Sequence, residues 1–129
     1  MAQVRIYGLR NQLASRKHAL SDAIHMALME SFELPQEKRF QRFIMLEPDE
    51  FIFPADRSAA YTIIEFSIFA GRSPAAKKKL ITSLFRLVAE QADITPQDLE
   101  ITIYETPPAN WGIRGKPGDE LQLSYTITV

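Results

Sequence analysis

The chain contains no cysteine. Disulfides, thiolate catalysis and cysteine-ligated zinc are therefore excluded. It also lacks any apolar run near the roughly 18–20 residues needed to span a bilayer, so no membrane partner is expected. The first residues, Met1-Ala2-Gln3-Val4-Arg5-Ile6-Tyr7-Gly8, alternate like a strand and hold no signal-peptide apolar block, which sets a cytoplasmic location as the expectation. Neither sign of charge dominates: 15 basic residues face 16 acidic ones, for a net charge of −1. Nonspecific nucleic-acid binding needs a basic face to neutralise phosphates, and this balance does not provide one. There is no phosphate-binding glycine loop, nucleophile elbow or dinucleotide fingerprint. The only two histidines, His18 and His25, are seven residues apart and too distant to share a metal without other ligands. The acidic pairs Asp49-Glu50 and Asp119-Glu120 sit in loops without the spacing of a metal cage. Neither metal nor cofactor is expected.

What remains is a chain of 129 residues, 46% hydrophobic, enough for one domain with a real core. Val4 to Tyr7 alternates and meets Gly8, a strand pattern. From about Ser15 to Glu33 the period changes: Leu20, Ile24, Leu28 and Phe32 recur every four residues, predicting a helix that Pro35 stops. A second strand is expected over roughly Phe40 to Leu46. Tyr61 to Phe69, nearly all apolar or β-branched, predicts a central strand. Gly71 breaks it, Ser73 suits an N-cap and Pro74 a first helical position, opening a helix to about Ala92. Lys77, Lys78 and Lys79 form its solvated face. Thr95-Pro96-Gln97-Asp98 reads as a capped turn before a strand from Leu99 to Tyr104. In the tail, Leu123, Tyr125, Ile127 and Val129 share one side, predicting a final strand that is free to pair with a neighbouring subunit.

The order strand–helix–strand occurs twice, in two halves of about 60 residues. Right-handed crossovers place both helices on one face of a four-stranded sheet. The predicted class is α+β, a two-layer sandwich of two β-α-β units within a single domain, residues 1–129. A ferredoxin-like regulatory domain has the same element order and stays open as the alternative. The apolar strand Tyr61–Phe69 is too hydrophobic to face water on either side, which predicts self-association.

Several short motifs stand at the element ends. They are Asp22-Ala23-Ile24-His25, Phe32-Glu33-Leu34-Pro35, Arg39-Phe40-Gln41, Gly71-Arg72-Ser73 and Asn110-Trp111-Gly112. In their order and spacing, over almost the whole chain, these resemble the tautomerase superfamily, and within it the branch of malonate semialdehyde decarboxylase. The resemblance implies a homotrimer of β-α-β repeats and a small-molecule carboxylate as ligand. It also implies catalysis by an N-terminal proline amine, and here the sequence departs. Once Met1 is removed, a step the small Ala2 favours, Ala2 stands in the proline's place. A primary α-amine has an ordinary pKa of about 7.7–8.0, so it is a workable base near neutral pH and can also form a Schiff base. Lys38 stands near the branch's catalytic aspartate, and one arginine of its Arg-Pro-Arg motif is missing. Decarboxylation is not expected.

Arg72 is the first candidate for the carboxylate: it follows the central strand where a helix begins, and the resemblance puts the family's substrate-binding arginine there. Trp111, the single tryptophan, lies between prolines and a glycine, where a ring can be locked at a cleft mouth or an interface. Asn110 beside it offers a hydrogen bond or holds a turn. Arg114, in a glycine-flanked loop, is placed to close over an anion. Arg42 serves a carboxylate if its strand borders the N-terminus, or else pairs with Glu65. Two readings follow. One is a tautomerase-like enzyme acting on 2-keto or unsaturated carboxylates through the Ala2 amine. The other is a catalytically silent trimer that binds the same acids or acts as an interaction protein.

Overall fold

The computed structural model describes residues 2–129. Strand β1 (Ala2–Leu9) is followed by one helical turn, α1 (Arg10–Leu13), and by helix α2 (Lys17–Phe32). Strand β2 (Gln41–Leu46) returns parallel to β1, with Val4 opposite Gln41 and Arg5 opposite Arg42. The second unit repeats the plan: β3 (Thr62–Phe69), α3 (Pro74–Ala92) and β4 (Leu99–Thr106), with β4 parallel to β3. The units join through an antiparallel β1–β3 pair, Ala2 opposite Ile68 and Arg5 opposite Glu65. The sheet order is therefore β2-β1-β3-β4, with the expected central strand inside it.

The local signals act as their chemistry requires. Ser73 caps α3, its hydroxyl accepting from the Ala76 amide at 3.1 Å, and Pro74 takes the first helical position. Helix α2 ends on Glu33 in the left-handed region (φ 54°), ahead of Pro35. Both helices cover one sheet face. The core lies between them and the sheet, where Ile6, Ile64 and Phe66 meet Ile24, Leu28, Leu80 and Leu84, all at most 2% exposed.

Two expectations change. The face of β3 away from the helices is not an apolar stripe: Glu65 and Ser67 stand on it between Ile63 and Phe69, and Trp111 packs over Phe69. Glu65 accepts from Tyr7 Oη at 2.8 Å and from Arg5 Nε at 3.1 Å, while Arg5 Nη1 donates to Ser67 Oγ at 2.8 Å. Most of the hydrophobic residues of β3 point into the helix layer, so the need for self-association does not follow from this strand. The second change is the tail. Residues 121–129 alternate between half-buried and exposed as the pattern requires, but form no strand. Instead the tail folds back on the start of α3, where the Ser73 amide donates to the Val129 carbonyl at 3.0 Å.

Candidate functional site: a basic cleft at the start of the first strand

The β2 chain runs beside the N-terminal end of β1, and the Val4 amide donates to the Phe40 carbonyl at 3.0 Å. Alternation then sorts the side chains. Arg39 turns toward the helix layer and contacts α2. Phe40 falls on the other face with Gln3 and stays 45% exposed. Around Gln3 and Phe40 lie two adjoining clefts. One, of about 320 Å³, is bounded by Val4, Arg39, Gln41 and Arg42. The other, of about 360 Å³, is bounded by Gly112, Ile113 and Arg114.

The far wall is a hairpin that the sequence pattern does not announce. Strands β5 (Gly112–Ile113) and β6 (Lys116–Pro117) pair antiparallel, leaving Arg114-Gly115 as a two-residue loop. Both loop residues have positive φ, 49° and 84°. Such a turn matches the right-handed twist of its strands, at a cost for the non-glycine Arg114. The turn holds Arg114 beside Gln3 and Phe40. Arg42 and Arg114 are both exposed, and among the described residues neither has a salt-bridge or hydrogen-bond partner. Arg42 does not pair with Glu65, because β1 lies between β2 and β3 and Arg5 takes that carboxylate. Two uncommitted cations thus flank an apolar ring, an arrangement suited to a small organic anion.

Trp111 and Asn110 lie behind this wall. They line an open groove of about 470 Å³ on the outer side of the hairpin, together with Lys116. The Trp111 ring packs edge-on against Phe69 at 5.0 Å between centroids, and its Nε1–H donates to the Thr106 carbonyl at 3.3 Å. Gly118 closes the loop by donating its amide to the Trp111 carbonyl at 2.7 Å. Trp111 therefore fixes the base of the hairpin, and Arg114 is its tip.

Arg72 is not among the residues lining these clefts. It is 5% exposed, with Nη1 donating to the Phe32 carbonyl at 2.7 Å and to the Thr126 carbonyl at 3.3 Å. Burial lowers its pKa from the ordinary value, with the charge interactions of Tyr125 and Glu33 opposing it. Ala2 is 4% exposed, its methyl in the core and its backbone paired with β3. Met1, and with it the question of its removal, lies outside the described residues. Elsewhere, Arg57 pairs with Asp56 and Glu100, and Glu105 with Lys77. Tyr104 lies beneath Arg5, 5.7 Å from its guanidinium carbon. The sequence places Phe40 in the Arg39-Phe40-Gln41 motif but does not single it out as a site residue, because it reads as an ordinary strand residue. Its signal is the exposed face on which it falls once Arg39 is committed to α2.

Among the described residues, no group of three histidine or acidic side chains is arranged to hold a metal ion. No helix among them is long and apolar enough to cross a membrane.

Two parallel β-α-β units joined antiparallel into one four-stranded sheet, with both helices on one face, form the fold of the tautomerase class. Residues 38–114, more than half of the chain, match the family model described as tautomerase enzyme, and the chain belongs to that family. Among solved structures it is similar to malonate semialdehyde decarboxylase, in a series of wild-type, proline-to-alanine and inactivated forms, at 22% identity. That match covers 92% of this chain and 99% of the other, with a TM-score of 0.80. It is also similar to the FG41 malonate semialdehyde decarboxylase inhibited by 3-bromopropiolate, at 27% identity over 85% and 87% of the two chains and a TM-score of 0.74. A fused 4-OT that forms an asymmetric trimer matches at 23% identity, covering 91% and 96%, with a TM-score of 0.80.

Proposed function

We propose that this chain binds a small 2-keto or unsaturated carboxylate in the cleft around Gln3 and Phe40, and that it moves a proton between carbon and oxygen of that acid. The observation that carries the reading is the pair of uncommitted guanidiniums, Arg42 and Arg114, on either side of Phe40. The ligand carboxylate lies against one or both, and Phe40 covers its carbon skeleton. The base is the Ala2 amine, freed by loss of Met1 at the strand end that borders the cleft. Nearby arginines favour the neutral amine, which is the form that accepts a proton.

The anion contact thereby moves from Arg72 to Arg42 and Arg114, and Arg72 takes a structural role, holding the tail against the end of α2. Trp111 and Asn110 act behind the hairpin, not on the ligand. A homotrimer belongs to the proposal by likeness to the fused 4-OT trimer.

Intact mass measured together with proton NMR of the untagged protein in deuterated buffer, with phenylpyruvate, tests the chemistry. Loss of Met1 with keto–enol exchange above the buffer rate supports it. Loss of Met1 with exchange at the buffer rate, for phenylpyruvate and a panel of other keto acids, refutes it.

A second reading has its own support. By the resemblance, Ala2 takes the place of the family's proline, and Lys38 stands near the position of the decarboxylase branch's aspartate. A trimer that binds carboxylates without turnover satisfies both substitutions. It predicts thermal stabilisation by keto acids with no exchange, and about 2.7 kcal/mol of stabilisation at a hundredfold excess over Kd.

A further inference from the structure

The segment 33–40 between α2 and β2 carries Phe40 into the cleft, yet it contains no regular structure beyond a turn closed by the Lys38 amide on the Pro35 carbonyl at 3.0 Å. Its position comes from α2. His25, 1% exposed, reaches the Gln36 carbonyl with Nε2 at 2.8 Å. Since a carbonyl only accepts, Nε2 carries a proton and donates it to this contact. Its Nδ1 is buried with no partner among the described residues. One turn earlier on the same helix, Asp22 Oδ1 and Ser21 Oγ accept from Arg39 Nη1 at 2.7 and 3.0 Å. Gln41 Nε2 donates to the Ser21 carbonyl at 3.1 Å. Four hydrogen bonds from three neighbouring helical positions therefore hold the stretch that ends at the Phe40 wall.

We propose that Ser21, Asp22 and His25 form a latch on α2 that positions the Phe40–Arg42 wall of the cleft, with His25 as its buried member. These are positioning residues: none lines the cleft, and each acts through the segment it holds. The proposal deepens the reading of this cleft as a carboxylate site and rests on it for the ligand-binding consequence alone.

The geometry of the contact supplies a discriminating pair of variants. A glutamine amide nitrogen reaches about as far as histidine Nε2, whereas an asparagine nitrogen reaches only to Nδ1. His25→Asn therefore keeps a polar side chain but loses the Gln36 contact, and His25→Gln keeps it. Amide hydrogen exchange, followed by mass spectrometry on peptides spanning residues 33–40, reads the latch without any ligand. The expected result is exchange at least tenfold faster in His25→Asn than in the native protein, recovery in His25→Gln, and no change in α3 or β4. Asp22→Ala, at an exposed position that does not threaten folding, removes the acceptor and is expected to accelerate the same peptides. Titration with phenylpyruvate is expected to show a tenfold weaker Kd in His25→Asn, restored in His25→Gln. Unchanged exchange in Asp22→Ala, or equal exchange in the two His25 variants, overturns the latch. If His25→Asn fails to fold, Asp22→Ala decides alone. If the latch behaves as expected but the native protein does not bind phenylpyruvate, the carboxylate reading fails and the latch stands.

Discussion

Arg72 and Phe32 are bound to each other twice. The Arg72 Nη1 donates to the Phe32 backbone carbonyl at 2.7 Å, and the guanidinium carbon stands 4.6 Å from the centroid of the Phe32 ring. Phe32 is the last residue of α2, so its carbonyl has no partner within the helix. The cation also complements the negative end of the helix dipole. Thr126 is a second acceptor and ties the tail to the same point.

Removing this guanidinium leaves a buried carbonyl unpaired and a cavity beside Phe32. We expect Arg72→Ala to lower stability by about 2–4 kcal/mol. Arg72→Lys recovers only part of this, since a point charge cannot both stack and hydrogen bond as the planar group does. Chemical denaturation measures the loss. Phenylpyruvate binding by the folded fraction is expected to stay within about twofold of native, which sets this arginine apart from Arg42 and Arg114.

The tryptophan loop depends on one missing side chain. A Cβ on Gly118 would come within 2.5 Å of the Pro108 carbonyl oxygen and 3.0 Å of Trp111 Cβ. The first contact is with backbone, which cannot swing aside. Gly118→Ala is expected to cost about 1–3 kcal/mol and to loosen the Trp111 ring from Phe69. Emission from the single tryptophan reports it, with a red shift expected on exposure. An unchanged spectrum and unchanged melting temperature contradict the packing described.

Acid sensitivity follows from the network on the open sheet face. Burial raises the Glu65 pKa, but hydrogen bonds from Tyr7 and Arg5 and the Arg5 charge outweigh it, leaving a net value below the ordinary 4.5. A carboxyl depressed in the folded state stabilises the protein above its unfolded value, and that stability is lost as pH falls through the folded value. Tyr7→Phe removes one donor and reduces the depression. The variant is expected to be less stable than native at pH 7, with the gap closing on acidification below about pH 4. Denaturant titrations at several pH values check this, and a gap independent of pH would falsify the assignment.

His25 shifts in the same direction for a different reason. Burial lowers its pKa from 6.5, only partly offset by the Gln36 carbonyl, with Arg39 adding to the lowering and Asp22 opposing it. The unfolded chain takes up the proton first, so stability falls as pH drops below about 6.5 and levels off once the folded form also titrates. His25→Gln is expected to flatten this part of the profile. A profile that keeps its slope there places the titration elsewhere.

The fold was legible because its signals are local. Ser73-Pro74 caps a helix by its own chemistry, Pro35 and Gly71 break elements where they stand, and the period of Leu20, Ile24, Leu28 and Phe32 fixes the face that α2 buries. The cleft was legible only in part. Arg42 and Arg114 stood out as candidates, but Arg72 looked available because its acceptors, Phe32 and Thr126, lie 40 and 54 residues away. The tail kept the alternation of a strand without becoming one, because its backbone meets the start of α3 instead of a sheet edge. The β5–β6 hairpin escaped because an arginine at positive φ leaves no pattern in sequence. The motifs that carried the family resemblance acquire a physical meaning here: Asp22 and His25 hold the segment that leads to Phe40, and Arg39 is the residue Asp22 grips.

The central claim is that the ligand carboxylate is held by Arg42 and Arg114. Calorimetric titration of phenylpyruvate into the native protein and into the double variant Arg42→Ala, Arg114→Ala tests it most directly. Both side chains are exposed and unpaired among the described residues, so the variant is expected to fold as the native chain does. The predicted result is a Kd at least about fiftyfold weaker, or about 2.3 kcal/mol, with an unchanged melting temperature in the absence of ligand. Native-like affinity in the double variant would contradict it and return the anion site to Arg72.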